Sequence, residues 1–329
     1  MPSLSRPLEG QVALVTGASR GIGRGIALQL ADAGTTVYIT GRQPRASYAQ
    51  PGLPSLEQTA NEITQRGGEV VMVYCDHAKT DDVRALFERI DADNNGKLDV
   101  LVNNAFAGAE AVLSNVGRPF FECEPSLWDE INDVGLRGHY ICAVYASRLM
   151  TKRRAGLIVN VSSAGGLQYM FNVSYGVGKA ALDRMSADMA VELKPFNVTI
   201  VTLWPGFVRT ELSAQLVQDP DPALLKVMGF ADKNAFERFA RDSESPEFVG
   251  KAVVALARDR NVARKSGKIL ISADLASEYR FRDTNQFMPA NMRSVRFALE
   301  FFGWPRLARL VPAFIKLPKF ALHFAAYKF

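Results

Sequence analysis

Tyr175-Gly176-Val177-Gly178-Lys179 places a phenol and an ammonium four residues apart, on one face of a helix. A free phenol titrates near pH ~10 and exchanges protons poorly at neutral pH. A neighbouring cation favours the phenolate and lowers that value. Tyr175 then gives a proton to a substrate oxygen, or takes one back in reverse. A Tyr-x-x-x-Lys pair alone is commonplace and usually structural, so its surroundings decide. Ser162-Ser163 closes an apolar run twelve to thirteen residues upstream. A hydroxyl there either hydrogen-bonds a developing alkoxide or caps nearby backbone.

Thr16-Gly17-Ala18-Ser19-Arg20-Gly21-Ile22-Gly23 lies between a strand pattern and a helical one. Glycines let the backbone turn tightly and approach an anion. The new helix offers free N–H groups and its positive end to a pyrophosphate. Gly17, Ser19, Arg20, Gly21, Ile22 and Gly23 are therefore the candidate phosphate cradle. An acid ending the second strand would bind the ribose hydroxyls of NAD. Here that strand ends Tyr38-Ile39-Thr40-Gly41-Arg42. Arg42 and Arg20 instead suit a 2′-phosphate, which selects NADP(H). Asp76 either accepts a hydrogen bond from the adenine amine or caps the next helix. Pro205-Gly206-Phe207-Val208-Arg209-Thr210 follows the sixth strand. It either closes over a nicotinamide, with Thr210 and the Val208 backbone on the carboxamide, or is a plain Pro-Gly turn.

The elements that must position these groups alternate. Strand-like runs fall at Val12–Val15, Thr36–Thr40, Val70–Tyr74, Leu98–Val102, Leu157–Val161, Val198–Leu203 and Lys268–Ile271. Helical patterns fall between them, at Gly21–Ala33, Ser55–Arg66, Thr80–Asp91, Ser126–Lys152, Ser174–Lys194 and Pro246–Arg258. Continuous apolar strands suit a sheet buried on both faces. The alternation implies a single α/β domain over residues 8–274: a Rossmann-like, doubly wound, parallel seven-stranded sheet with helices on both faces. Gln43–Pro54 reads as a loop. Arg209–Ser245 interrupts the last crossover, where it can cover a substrate.

The 329 residues carry 48% hydrophobic and 22% charged side chains, which excludes a disordered or collagenous chain. The net charge of +5 has a local origin. From Arg293 to Phe329 there are seven Lys/Arg against the single acid Glu300. Cys75, Cys123 and Cys142 are widely spaced and read as reduced, in an intracellular protein. No 18-residue uncharged apolar run is present, which argues against a spanning helix. The sequons at Asn160, Asn172 and Asn197 are read as chance matches.

Taken together, these segments resemble the short-chain dehydrogenase/reductase superfamily in its NADP-preferring branch. Thr16 to Gly23, Asn103-Asn104-Ala105, Ser162-Ser163, Tyr175/Lys179 and Pro205-Gly206 carry the resemblance. It implies oxidation of alcohols or reduction of carbonyls with NADP(H). Tyr175 would be the acid/base and Lys179 its ribose-binding, pKa-lowering partner. Ser163 would orient the substrate, with Ser162 the alternative, and Asn103 would join the cofactor site. Pairing as a homodimer or homotetramer is also implied. Two departures stand out. Phe106 follows Asn103-Asn104-Ala105 where the family has Gly, and Gly135 stands where an Asn usually holds a proton-relay water. Asn132 is three positions off, in a different direction on a regular helix.

Asp91 to Asp99 imitates a calcium loop, but position twelve is Val102, so calcium is rejected. His77, His139 and His323 lack ligand spacing, so no metal is expected. The extension 275–329 mixes aromatics with Arg and Lys, broken by Pro305, Pro312 and Pro318. Basic amphipathic pieces suit an anionic membrane surface; packing on the body, a partner subunit or a pocket wall is the other reading. Lipid docking would place the protein at the endoplasmic reticulum membrane; otherwise it is cytoplasmic. No nucleic-acid module surrounds the basic residues. Apolar residues at Leu167–Phe171 and in the insertion point to lipophilic carbonyl or alcohol substrates, ketosteroids among them. The rival is a weakly active NADP(H)-binding sensor or scaffold at a membrane surface.

Overall fold

The computed structural model describes residues 6–44, 53–301, 304–312 and 314–318. Most of the expected loop Gln43–Pro54, His323, and the basic stretch from Lys319 onward lie outside the described residues.

Seven parallel strands form one sheet in the order β3-β2-β1-β4-β5-β6-β7. They are β1 (Val12–Val15), β2 (Thr36–Gly41), β3 (Glu69–Tyr74), β4 (Val100–Asn103), β5 (Gly156–Val161), β6 (Val198–Trp204) and β7 (Ile269–Ile271). Strand residues alternate between two cores. Val15, Val102, Val159 and Val201 face one side, with Ile26, Val249 and Val253. Leu14, Leu101, Ile158 and Ile200 face the other, with Val83, Phe87 and Ala146. Both faces are therefore covered, which is why the strands read as unbroken apolar runs. The edge strand β3 is the exception, with partly exposed side chains along its length.

The crossover helices are α1 (Gly21–Asp32), α2 (Leu56–Gln65), α3 (Thr80–Asn94), then α4 (Ala109–Ser114), α5 (Leu127–Asn132) and α6 (His139–Arg153). They continue with α7 (Val173–Leu193), α8 (Glu211–Gln218), α9 (Pro222–Val227), α10 (Lys233–Arg241) and α11 (Pro246–Arg258). After β7 come α12 (Ser272–Tyr279), α13 (Val295–Phe301) and α14 (Pro305–Ala308). The chain reverses direction across the sheet between β1 and β4, so a crevice opens at the carboxyl ends of those strands.

Three expectations change. The helix expected over Ser126–Lys152 is broken: α5 and α6 flank a π-helical stretch, Asp133–Gly138. Gly135 and Gly138, the poorest non-proline helix formers, fall within it. Helix α3 runs three residues further than expected and ends on Asn95 in the left-handed region, φ 50°. The calcium-like stretch is thus the end of a helix. Finally, the insertion folds as α8, α9 and α10; Phe236 and Phe239 of α10 pack against Phe207, and Phe230, between α9 and α10, packs on both of them.

The beginning of the extension is tied to the body. Asp274 on α12 accepts hydrogen bonds from Asn291 Nδ2 (2.8 Å) and Lys316 Nζ (2.9 Å) and pairs with Arg293. Phe297 rests 6.2 Å from Phe239 between ring centres. Beyond this tie Trp304, Leu307, Leu310 and Phe314 are exposed. No described helix is long and apolar enough to cross a membrane.

Candidate active site

The crevice is built from the segments that follow β1, β4, β5 and β6. Thr16, buried at the end of β1, accepts the backbone N–H groups of Asn104 (2.9 Å) and Ala105 (3.0 Å) through Oγ1. Asn104 Nδ2 in turn donates to the carbonyls of Thr16 (2.9 Å) and Gly17 (3.0 Å). Any Cβ on Gly23 would collide with Asn104 Nδ2 and the Gly17 carbonyl. The glycine loop is therefore pinned from β4, and only glycine fits at 23.

This places Asn103 differently from expectation. Its side chain points into the core, where Nδ2 donates to Asn160 Oδ1 (2.9 Å) and the His139 carbonyl (3.2 Å). Asn104 is the residue that faces the glycine loop. Gly21 opens α1 at φ +57°, and its N–H donates to Glu211 Oε2 at 2.9 Å. The amide thus already binds an anionic oxygen, as a pyrophosphate cradle must. Thr210 caps α8 and lies over the same glycine, with Cγ2 3.3 Å from where a Gly21 Cβ would stand.

Ser19 and Ile22 are partly buried in this loop; Arg20 and Arg42 are exposed beyond the ends of the paired strands β1 and β2. Asp76 does not cap α3, whose N-cap is Lys79. Its Oδ1 instead accepts the Ala78 amide at 3.2 Å. Pro205 and Gly206 follow β6. Gly206 lies against the buried carboxylate of Glu244, and Val208 bridges the Glu244 backbone.

Helix α7 presents Tyr175 and Lys179 on successive turns. Asn172, the last sequon position but one, caps the helix by accepting the Tyr175 amide at 2.9 Å. The two serines divide their work. Ser162 is buried and donates to the Lys179 carbonyl at 3.3 Å. Ser163 lies beside the phenol, its Oγ accepting the Gly165 amide at 3.1 Å.

The electrostatics differ from expectation. Burial pushes the Tyr175 phenol above its ordinary value; Ser163 pulls it back and Asp183 adds to the rise. Burial lowers the Lys179 ammonium to about 8, against the pull of Asp183. The expected depression of Tyr175 by Lys179 is not found, because desolvation dominates. A phenol so placed is protonated at neutral pH, as a proton donor must be.

Sequence reasoning did not join several neighbours to the pair. Phe106 and Phe171 meet the Tyr175 ring edge to face, at 6.1 Å and 5.2 Å between centres. Lys179 Nζ lies 5.0 Å from the Phe106 ring centre and donates to the Val161 carbonyl at 3.4 Å. Asp183 accepts from Trp204 Nε1 at 3.1 Å, linking α7 to β6. Asp183, at the same four-residue spacing beyond Lys179, was visible in the sequence; the ring contacts were not.

A family profile described as short chain dehydrogenase matches residues 11–221. Dehydrogenase/reductase SDR family member 1 of Mus musculus is 48% identical over 329 residues, 98% of this chain and 99% of the relative. The Homo sapiens protein of the same name is 47% identical, over 99% and 100%. A 3-oxoacyl-[acyl-carrier-protein] reductase of Synechocystis is 33% identical over 65% of this chain and 80% of its own. Among solved structures, a metagenomic short-chain oxidoreductase in complex with NADP aligns with TM-score 0.60 and 27% identity, covering 80% of this chain and 98% of that one. A short-chain type dehydrogenase/reductase from Mycobacterium marinum aligns with TM-score 0.63 and 26% identity, over 81% and 95%.

Proposed function

The chain belongs to the short chain dehydrogenase family of oxidoreductases, and from that membership we propose that it reduces carbonyls, and reversibly oxidises alcohols, of lipophilic substrates with NADP(H). The observation that carries this reading is the convergence of Ser163, Tyr175 and Lys179 at the carboxyl end of β5, beside the pinned glycine loop. Gly17, Ser19, Gly21, Ile22 and Gly23 would hold the pyrophosphate, with Glu211 yielding the Gly21 amide. Arg20 and Arg42 would hold the 2′-phosphate and Asp76 the adenine amine. Pro205, Gly206, Val208 and Thr210 would close on the nicotinamide. Reduced nicotinamide, when bound, supplies a hydride.

Tyr175 gives its phenolic proton to the carbonyl oxygen of the substrate. Ser163 donates a hydrogen bond to the same oxygen and steadies its growing charge. Lys179 offers its ammonium to the ribose hydroxyls and to the phenolate left behind. The aromatic walls Phe106 and Phe171 exclude water from this exchange and suit an apolar substrate such as a ketosteroid. The test is NADPH consumption against steroid, quinone and aldehyde panels, with NADH alongside. Turnover with NADPH is expected. Tight NADPH binding with no turnover across all three panels favours the sensor or scaffold reading instead.

The exposed Trp304, Leu307, Leu310 and Phe314, with exposed Arg306 and Arg309 among them, support peripheral contact with an anionic membrane. L310E/F314E is expected to abolish sedimentation with phosphatidylserine vesicles. Unchanged sedimentation removes this part of the proposal.

A further inference from the structure

The two departures from the family pattern, Phe106 and Gly135, are 29 positions apart in sequence and touch in space. A Cβ on Gly135 would stand 2.6 Å from Phe106 Cδ2 and 3.1 Å from Cε2. Real Cβ atoms do not approach so closely, so the ring occupies the room that glycine leaves. The same ring turns its face toward Lys179 Nζ, 5.0 Å from its centre, and meets Tyr175 edge to face. Lys179 is 9% exposed, its described hydrogen bond is a long one, 3.4 Å, to the Val161 carbonyl, and the Tyr175 ring centre lies farther from Nζ than that of Phe106, at 5.9 Å. Asp183 on its own helix attracts it, while His139 from α6 is a neighbour that burial holds neutral. A cation so desolvated gains more from an aromatic face than an exposed one does.

We propose that Phe106 is a positioning residue for the Tyr175/Lys179 pair: seated over Gly135, its ring holds the Lys179 ammonium by its face and packs T-shaped with the Tyr175 ring. Packing and cation–π attraction thus do here what a hydrogen-bonding side chain at 135 would do. The proposal rests on the catalytic reading of α7, but the contact it names can be read without catalysis. It also makes glycine at 135 a requirement of Phe106 rather than a defect.

The test is the titration of Lys179 in the intact protein, followed through the lysine Cε resonances of 13C-labelled chain and assigned with K179M. F106L keeps most of the bulk and removes the aromatic face. Its Lys179 midpoint is expected to fall by about 0.5 to 1.5 pH units. G135A, which must push the ring aside, is expected to lower the midpoint in the same direction. The double variant F106L/G135A is expected to add nothing to F106L alone, since both changes remove one contact. An unchanged midpoint in either folded single variant, or additive shifts in the double, overturns the proposal. Those outcomes are independent of whether any carbonyl is turned over, so failure of the functional reading shows separately in the NADPH screen.

Discussion

Asn132 and Ser174 are joined across two helices: Asn132 Nδ2 donates to the Ser174 carbonyl oxygen at 3.2 Å, one residue before Tyr175. The same amide lies so close to Gly178 that any Cβ there would overlap its Oδ1. The end of α5 therefore fixes the first turn of α7, the turn that aims the phenol. G178A is expected to destabilise the protein by about 1–3 kcal/mol through overpacking and to lower kcat. N132A removes the obstruction along with the bond, so N132A/G178A should be less damaged than the two single losses summed. Thermal melts and NADPH-linked rates of the four proteins form the cycle; simple additivity would count against a direct contact.

Much of this site was legible in the chain itself. Tyr175, Lys179 and the glycine loop are local patterns whose spacing is their geometry, and β-branched runs marked all seven strands to within two residues. Ser163 over Ser162 rested on the family resemblance alone; the path of α7 adds the physical reason, since Ser162 reaches the Lys179 carbonyl and Ser163 lies beside the phenol. Asn132 was read as pointing away from position 135, and the fold gives the two different neighbours: Asn132 meets Ser174 and Gly178 of α7, while Gly135 meets Phe106. No sequence spacing could show that Asn132 touches α7. Phe106 and Gly135 were each visible as oddities, but no spacing rule joins a residue of the segment after β4 to one of the broken helix.

Removing the phenolic proton tests the chemistry most directly. Y175F keeps the ring contacts with Phe106 and Phe171 and loses only the hydroxyl. A fall in kcat of about 10²–10⁴-fold is expected, with NADPH affinity little changed. S163A is expected to act in the same direction, and S162A to act mainly on thermal stability, since Ser162 is tied to the Lys179 carbonyl.

Lys179 carries its charge only below its midpoint of about 8. Burial favours the neutral amine, so the ammonium is present at neutral pH and lost as pH rises through that value. The rate constant kcat/KM for NADPH is therefore expected to decline above pH ~8, where the free enzyme loses this cation. K179R, always protonated, should remove that alkaline limb even if it lowers the plateau. An alkaline limb that survives K179R must belong to another group.

On the proposed reading, the choice between the two nicotinamide cofactors would fall on two exposed arginines, Arg20 and Arg42. Charge-assisted hydrogen bonds to a phosphate contribute about 1.5–3 kcal/mol each. R42A is thus expected to weaken NADPH binding by about 10- to 100-fold while leaving NADH nearly untouched. Dissociation constants from quenching of protein fluorescence give both values on one sample. Equal losses for the two cofactors would refute the role given to Arg42.

Glu244 offers a test of stability rather than turnover. It is 1% exposed, accepts the Ser272 hydroxyl and lies against Gly206, and its second oxygen Oε2 is without a described partner. Burial raises its pKa to about 7; Ser272 and the Gly206 amide hold it down, and Asp283 pushes it further up. Between the ordinary carboxyl value of 4.5 and about 7, the folded chain then binds more protons here than the unfolded one. Stability contributed by this group is present below that window and declines as pH rises through it. The full loss is at most roughly 3 kcal/mol. E244Q is uncharged at every pH and keeps an oxygen for Ser272 and Gly206. Urea unfolding should find the two proteins alike near pH 5 and E244Q the more stable near pH 8. A stability difference of equal size at both pH values would mean that the carboxyl titrates alike in the folded and unfolded chain, so that burial does not raise its pKa.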